Sequence, residues 1–199
     1  MRKLSFYVVN SITGYRLLAA PVLLFLILAG YTDVFKWALA VSFFTDAIDG
    51  FLARKLNVVS AFGSTLDSIG DDLTVGIAVV GMMFQWPGFI REEIHFVILL
   101  SALFIVQIAS AVIRYGRISS FHTYLAKLAA VLQAIFLLVC YFKAPVYELF
   151  YVAVFITAVE LIEEIILVIK LPTWEHNVKG LYWIIKRNKK ISGNTDNTL

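Results

Sequence analysis

The chain has 199 residues, of which 60% are hydrophobic and only 16% charged, with a mean hydropathy of +0.84 and a formal net charge of +3. A soluble domain carries about 45–50% apolar residues, so this chain has more apolar surface than one core can hide, and a water-soluble globule is excluded. The charge is too small for a nucleic-acid binder, though its sign favours anionic lipid head groups.

Six apolar runs follow one another at about 16–31, 35–56, 60–85, 94–113, 122–142 and 147–170, each near the roughly 17–25 residues that cross a bilayer. The expected fold is all-α, an integral membrane bundle of six transmembrane helices preceded by an N-terminal juxtamembrane amphipathic helix. Met1, Arg2 and Lys3 open the chain, but Asn10, Thr13 and Arg16 interrupt the apolar run after them, so no cleavable signal is expected and the first span should remain. One membrane domain is expected over 1–171, followed by a basic tail over 172–199. In that tail Trp174, Tyr182 and Trp183 alternate with Lys and Arg, as in a segment lying along the membrane surface. Trp37, Trp86 and Tyr151 fit interfacial aromatic belts. Of the 17 Lys and Arg, only Lys36, Arg91 and Lys143 fall in the alternate loops, so the positive-inside rule places both termini in the cytoplasm.

Within this hydrocarbon-rich chain, Asp46, Asp49, Asp67 and Asp71 stand in two adjacent spans. A carboxylate at membrane depth costs about 2.5–3.5 kcal/mol on insertion scales, so four of them need a cation. Asp46 and Asp49 are i,i+3 and Asp67 and Asp71 i,i+4, so each pair projects from one helical face. Hard oxygen ligands suit magnesium, manganese or calcium.

The full pattern is Asp46-x-x-Asp49-Gly50-x-x-Ala53-Arg54, eight residues, then Gly63-x-x-x-Asp67-x-x-x-Asp71. It resembles the signature of the CDP-alcohol phosphatidyltransferases, with every fixed position filled. The resemblance implies a membrane enzyme that takes a phosphatidyl group from CDP-diacylglycerol, gives it to a small alcohol and releases CMP. It makes Asp46, Asp49 and Asp67 ligands of a two-metal site holding Mg2+ or Mn2+, with Asp71 contributing to that site and acting as general base. Gly50 and Gly63 then let the nucleotide approach the helix backbone, Ala53 keeps that face small, and Arg54 pairs with a phosphate or an aspartate. Asn10, Thr13, Arg16 and Pro21 resemble the N-x-x-T-x-x-R…P entrance of bacterial members, which would touch the CDP-lipid; positive-inside anchoring explains Arg16 equally well. The resemblance also implies a homodimer and, with the positive-inside reading, a bacterial inner-membrane enzyme whose active site faces the cytoplasm; membrane lipids are expected as partners and, from the small net charge, nucleic acid is not.

The segment around Lys127 and Gln133 is similar to the G-K-x-K-T-x-x-Q region of phosphatidylglycerophosphate synthases, but Ala126, Ala129 and Ala130 replace the Gly, second Lys and Thr. Arg114, Arg117 and Lys127 form a cationic set suited to a phosphorylated polyol such as glycerol 3-phosphate, against the alternative of positive-inside charge alone. Inositol phosphate, inositol or serine are the alternative acceptors. Glu160, Glu163 and Glu164 are expected to pair with Arg114 or Lys127, or to hydrogen-bond acceptor hydroxyls. His122 lies near the cytoplasmic mouth, Cys140 packs as apolar filler, and Asp72, about 100° from Asp71 on a helix, receives no role. An intramembrane prenyltransferase would resemble a longer bundle with two separated Asp-rich loops. A divalent-cation transporter would spread its acids along several spans.

Overall fold

The computed structural model describes residues 18–55, 61–118, 121–175 and 178–187, and these are helical with no strand among them. The helices are α1 Leu18–Leu28, α2 Thr32–Lys55, α3 Ala61–Gln85, α4 Pro87–Tyr115, α5 Tyr124–Phe142, α6 Tyr147–Lys170 and a short α7 over 181–187. The described residues form two compact units: those up to His95 with Gln133–Phe150, and Phe96–Leu132 with those from Tyr151 onward. Helices α4, α5 and α6 contribute to both.

In the first unit, α1 buries Ala20, Leu23 and Ile27 on one face and exposes Leu18, Val22 and Phe25. It stops at Gly30, whose φ of 78° only glycine adopts without cost. The Gly30 N–H donates to the Ile27 carbonyl and the Tyr31 N–H to that of Leu26, the bond pair of a Schellman cap. Helix α2 packs on α3. Its buried stripe is Phe35, Leu39 and Ser42, while Trp37, Val41 and Phe44 are exposed. Helix α3 buries Thr74, Ala78 and Met82 and exposes Leu73, Val80 and Phe84. The Tyr141 hydroxyl of α5 donates to the Ala78 carbonyl at 2.7 Å, and the Tyr141 ring lies 4.9 Å from Phe35. Phe89 gathers Phe136, Tyr147 and Phe150 at centroid distances of 5.1–6.3 Å.

In the second unit, Ala111, Phe121, Leu167, Val168, Leu171, Val178 and Ile184 make one buried cluster. The Tyr115 hydroxyl donates to the carbonyls of Val168 and Leu171, each at 3.0 Å, satisfying orphan acceptors at the end of α6. Thr123 caps α5, its Oγ1 accepting the Ala126 N–H at 3.0 Å.

Two of the six expected spans, α4 and α5, are long and apolar enough to cross a membrane. Helices α2, α3 and α6 have 24, 25 and 24 residues, but charged side chains interrupt their apolar sequence, and α1 has only the short run Leu18–Leu28. One boundary also differs from expectation. Helix α4 begins at Pro87 rather than near 94, because proline at a first helical position gives up an N–H that would be orphaned anyway and presets φ. Trp86 alone joins it to α3, with hydrogen bonds Trp86 N–H to Met82 and Ile90 N–H to Trp86.

Candidate active site

The stripe of α2 that buries Phe35, Leu39 and Ser42 reaches Asp46 at its next turn, an i, i+4, i+7, i+11 progression along one face. On α3 the stripe Thr74, Ala78, Met82 extends backwards through Asp71 and Asp67. The two faces that pack against each other therefore carry the acids where their apolar portions end. Asp46, Asp67 and Asp71 are half-buried, and each brings one carboxylate oxygen to within 4.8 Å of the other two. Oxygens sharing a divalent cation at roughly 2.0–2.6 Å lie at most about 5 Å apart, so this donor set fits a hard divalent ion.

Further contacts support α3. Thr74 Oγ1 donates back to the Gly70 carbonyl at 2.8 Å, and Tyr141 holds the helix two turns beyond Asp71. A Cβ on Gly81 would fall on the Tyr141 hydroxyl and 2.8 Å from Ile27 Cγ1, so glycine is what lets α1 and α5 approach α3 here. Tyr141 and Gly81 escaped sequence reasoning; a tyrosine inside an apolar run, whose hydroxyl needs a partner, was the available signal.

The other expected site residues are placed as follows. Asp49, Gly50, Ala53 and Arg54 belong to α2, whose backbone is helical through Lys55, and their side chains lie outside the described residues, as do Asn10, Thr13 and Arg16 altogether. Gly63 is half-buried in the first turn of α3, and Asp72 is exposed. In the second unit Arg114, Arg117 and Lys127 are exposed. Arg114 Nε donates to the Leu171 carbonyl at 3.2 Å. The Arg117 guanidinium lies 5.2 Å from the Trp174 ring and Lys127 Nζ 5.4 Å from that of Tyr124. His122 has φ 51° in the turn before α5.

Two of the three glutamates meet donors that were not expected. Glu164 Oε2 accepts from Gln107 Nε2 at 2.5 Å, and Glu163 Oε1 accepts the Leu181 N–H at 2.9 Å. Glu164 sits on the buried stripe of α6, so it meets the buried amide of Gln107, whereas Arg114 and Lys127 are exposed. Gln107, a lone amide in an apolar run, signalled a buried polar partner but not which one.

The family described as CDP-alcohol phosphatidyltransferase matches residues 6–170. This chain belongs to that family. A protein of Mycobacterium tuberculosis (strain ATCC 25618 / H37Rv) named probable phosphatidylglycerophosphate synthase is 31% identical over 132 residues, 63% of this chain and 61% of its own length. A Rickettsia typhi protein named CDP-diacylglycerol–glycerol-3-phosphate 3-phosphatidyltransferase is 31% identical over 129 residues, 62% of this chain and 70% of the relative. A Saccharomyces cerevisiae protein named CDP-diacylglycerol–inositol 3-phosphatidyltransferase is 32% identical over 81 residues, 41% of this chain, and the chain spans only 36% of its length. No solved structure matches this chain.

Proposed function

We propose that this protein is a membrane-embedded transferase that moves a phosphatidyl group from CDP-diacylglycerol to the hydroxyl of a small alcohol and releases CMP. The observation that carries the reading is the convergence of Asp46, Asp67 and Asp71 from two packed helices, within the pattern that also contains Asp49. These four carboxylates would hold divalent metal, Mg2+ or Mn2+, which when bound neutralises the pyrophosphate and stabilises the departing phosphate. Asp71 takes the proton of the acceptor hydroxyl as its oxygen attacks the diacylglycerol-bearing phosphorus. The bond from that phosphorus to the bridging oxygen breaks, and CMP leaves with the electron pair. Gly50 and Gly63 admit the nucleotide. Ala53 and Arg54, with Asn10, Thr13 and Arg16, would contact the CDP-lipid.

Glycerol 3-phosphate is the favoured acceptor, with Arg114, Arg117 and Lys127 receiving its phosphate, because a dianion entering an apolar protein needs compensating charge. The mycobacterial and rickettsial names support this choice; the yeast name supports inositol as the second reading. Six spans with both termini cytoplasmic, a homodimer and a bacterial inner-membrane location complete the proposal, as does a division into a membrane domain over 1–171 and a basic tail over 172–199. The test is a panel assay with purified protein, CDP-diacylglycerol, Mg2+ or Mn2+, and glycerol 3-phosphate, inositol phosphate, inositol or serine. CMP release with phosphatidylglycerophosphate as product is expected. Preference for serine or free inositol would remove the phosphate site and leave the transferase, whereas no CMP release with any alcohol would remove both.

A further inference from the structure

Among the described residues beyond α6, 178–187 form a short arm with two unlike faces. On the inner face Val178 and Ile184 are buried against Phe121, Leu167 and Leu171. Two hydrogen bonds pin the arm: the Leu181 N–H to the Glu163 carboxylate Oε1 at 2.9 Å, and the Tyr124 N–H to the Lys179 carbonyl at 3.3 Å. Gly180, at φ 143°, makes the turn between them, and a Cβ there would lie 3.1 Å from Glu163 Oε1. The arm is therefore anchored through α6 and α5, and its outer face is held outward.

That outer face is aromatic and basic. Tyr182, Trp183 and Ile185 are 65%, 44% and 43% exposed, and Tyr124 is 56% exposed. The Trp183 ring lies 5.4 Å from Tyr124 and 5.5 Å from Tyr182. Lys179 and Lys186 are exposed at its margins, whereas Arg187 is taken up by a two-bond pair with Glu175 at 2.8 and 2.9 Å. Residues 178–187 contain no acid. The arm touches the first residue of α5, a helix apolar enough to cross a membrane, so a membrane-spanning α5 would set it where hydrocarbon gives way to head groups. Amphipathic rings settle at that depth and lysines there attract anionic phosphates.

We infer that Tyr124, Tyr182 and Trp183, with Lys179 and Lys186, form a preformed docking surface for anionic phospholipid head groups, independent of phosphatidyl transfer. The full-length protein is reconstituted in phosphatidylcholine vesicles containing brominated lipid at one mole fraction, with either a phosphatidylglycerol or a phosphatidylcholine head group. Tryptophan emission is compared between the protein and Trp183→Phe, which isolates one of the 4 tryptophans. The Trp183 component is expected to be quenched about twofold more by the anionic lipid, with the difference lost in about 1 M salt and in the Lys179→Gln, Lys186→Gln double variant. Emission of the other tryptophans reports that the double variant is folded. Equal quenching by both lipids, unchanged in the double variant, would reduce the surface to apolar burial and overturn the inference. So would no quenching at all, or a Trp183 signal that follows protein-to-lipid ratio instead of head group, which would assign the face to a second copy.

Discussion

A carboxylate half-buried among apolar helices persists only with compensating charge, and Asp46, Asp67 and Asp71 place three such groups within one ion's reach. Asp46→Asn and Asp67→Asn keep shape while removing one charge each, so transfer should fall by about 100-fold or more, with weaker metal affinity. CMP release at rising Mn2+, together with calorimetric Mn2+ titration, measures both; unchanged affinity in either variant would exclude that residue as a ligand. Asp71→Asn should instead lower turnover by about 100- to 10,000-fold even at saturating metal. A second residue-scale effect lies outside the spans. The hydrogen bond from Arg187 holds the Glu175 carboxyl below its ordinary value of 4.5. Because the folded value is the lower one, the pair's contribution is fully present above about pH 4.5 and is lost as pH falls through the lowered value. Proteolysis within 178–187 should therefore increase on acidification below that range, and Glu175→Gln should remove this pH dependence.

At the scale of one element, α3 has two interior glycines with opposite requirements. At Gly76 nothing lies within 4 Å of an added Cβ, whereas at Gly81 the Tyr141 hydroxyl and Ile27 occupy the place. Gly76→Ala should stabilise by about 0.5–1 kcal/mol through helix propensity. Gly81→Ala should destabilise by about 1–3 kcal/mol through overpacking. Thermal denaturation in detergent orders the two, and the opposite order would mean that α1 and α5 do not close on α3. Tyr141→Phe, which removes the bond to the Ala78 carbonyl, should cost about 0.5–1.5 kcal/mol.

For the molecule as a whole, the distribution of Lys and Arg sets the expected orientation. In a Cys140→Ala background, a membrane-impermeant maleimide applied to intact cells should label Lys143→Cys and leave Lys179→Cys unlabelled until the membrane is opened. Labelling of Lys179→Cys alone in intact cells would invert the topology. Outward-facing Phe25, Phe44, Phe155 and Ile169, all more than 60% exposed, are what a membrane-embedded chain presents to hydrocarbon.

Composition and periodicity by themselves determined the helical class, the approximate extents of α2, α3, α5 and α6, and the helical faces that carry Asp46, Asp67 and Asp71. These are local properties: apolar runs of fixed length, and acids whose i,i+3 and i,i+4 spacing allows few faces. The start of α4 at Pro87 was misplaced because hydropathy alone reads Arg91, Glu92 and Glu93 as loop, while backbone bonding through Trp86 and proline's fixed φ carry the helix across them. Partner choice was beyond the sequence. That Glu164 meets Gln107, that Glu163 receives the Leu181 N–H, and that Tyr141 requires a glycine at 81 depends on side chains brought together from positions far apart in the chain. A charge count pairs acids with bases, but Glu163 and Glu164 bond to the donors packed against them, while Arg114 and Lys127 stay exposed.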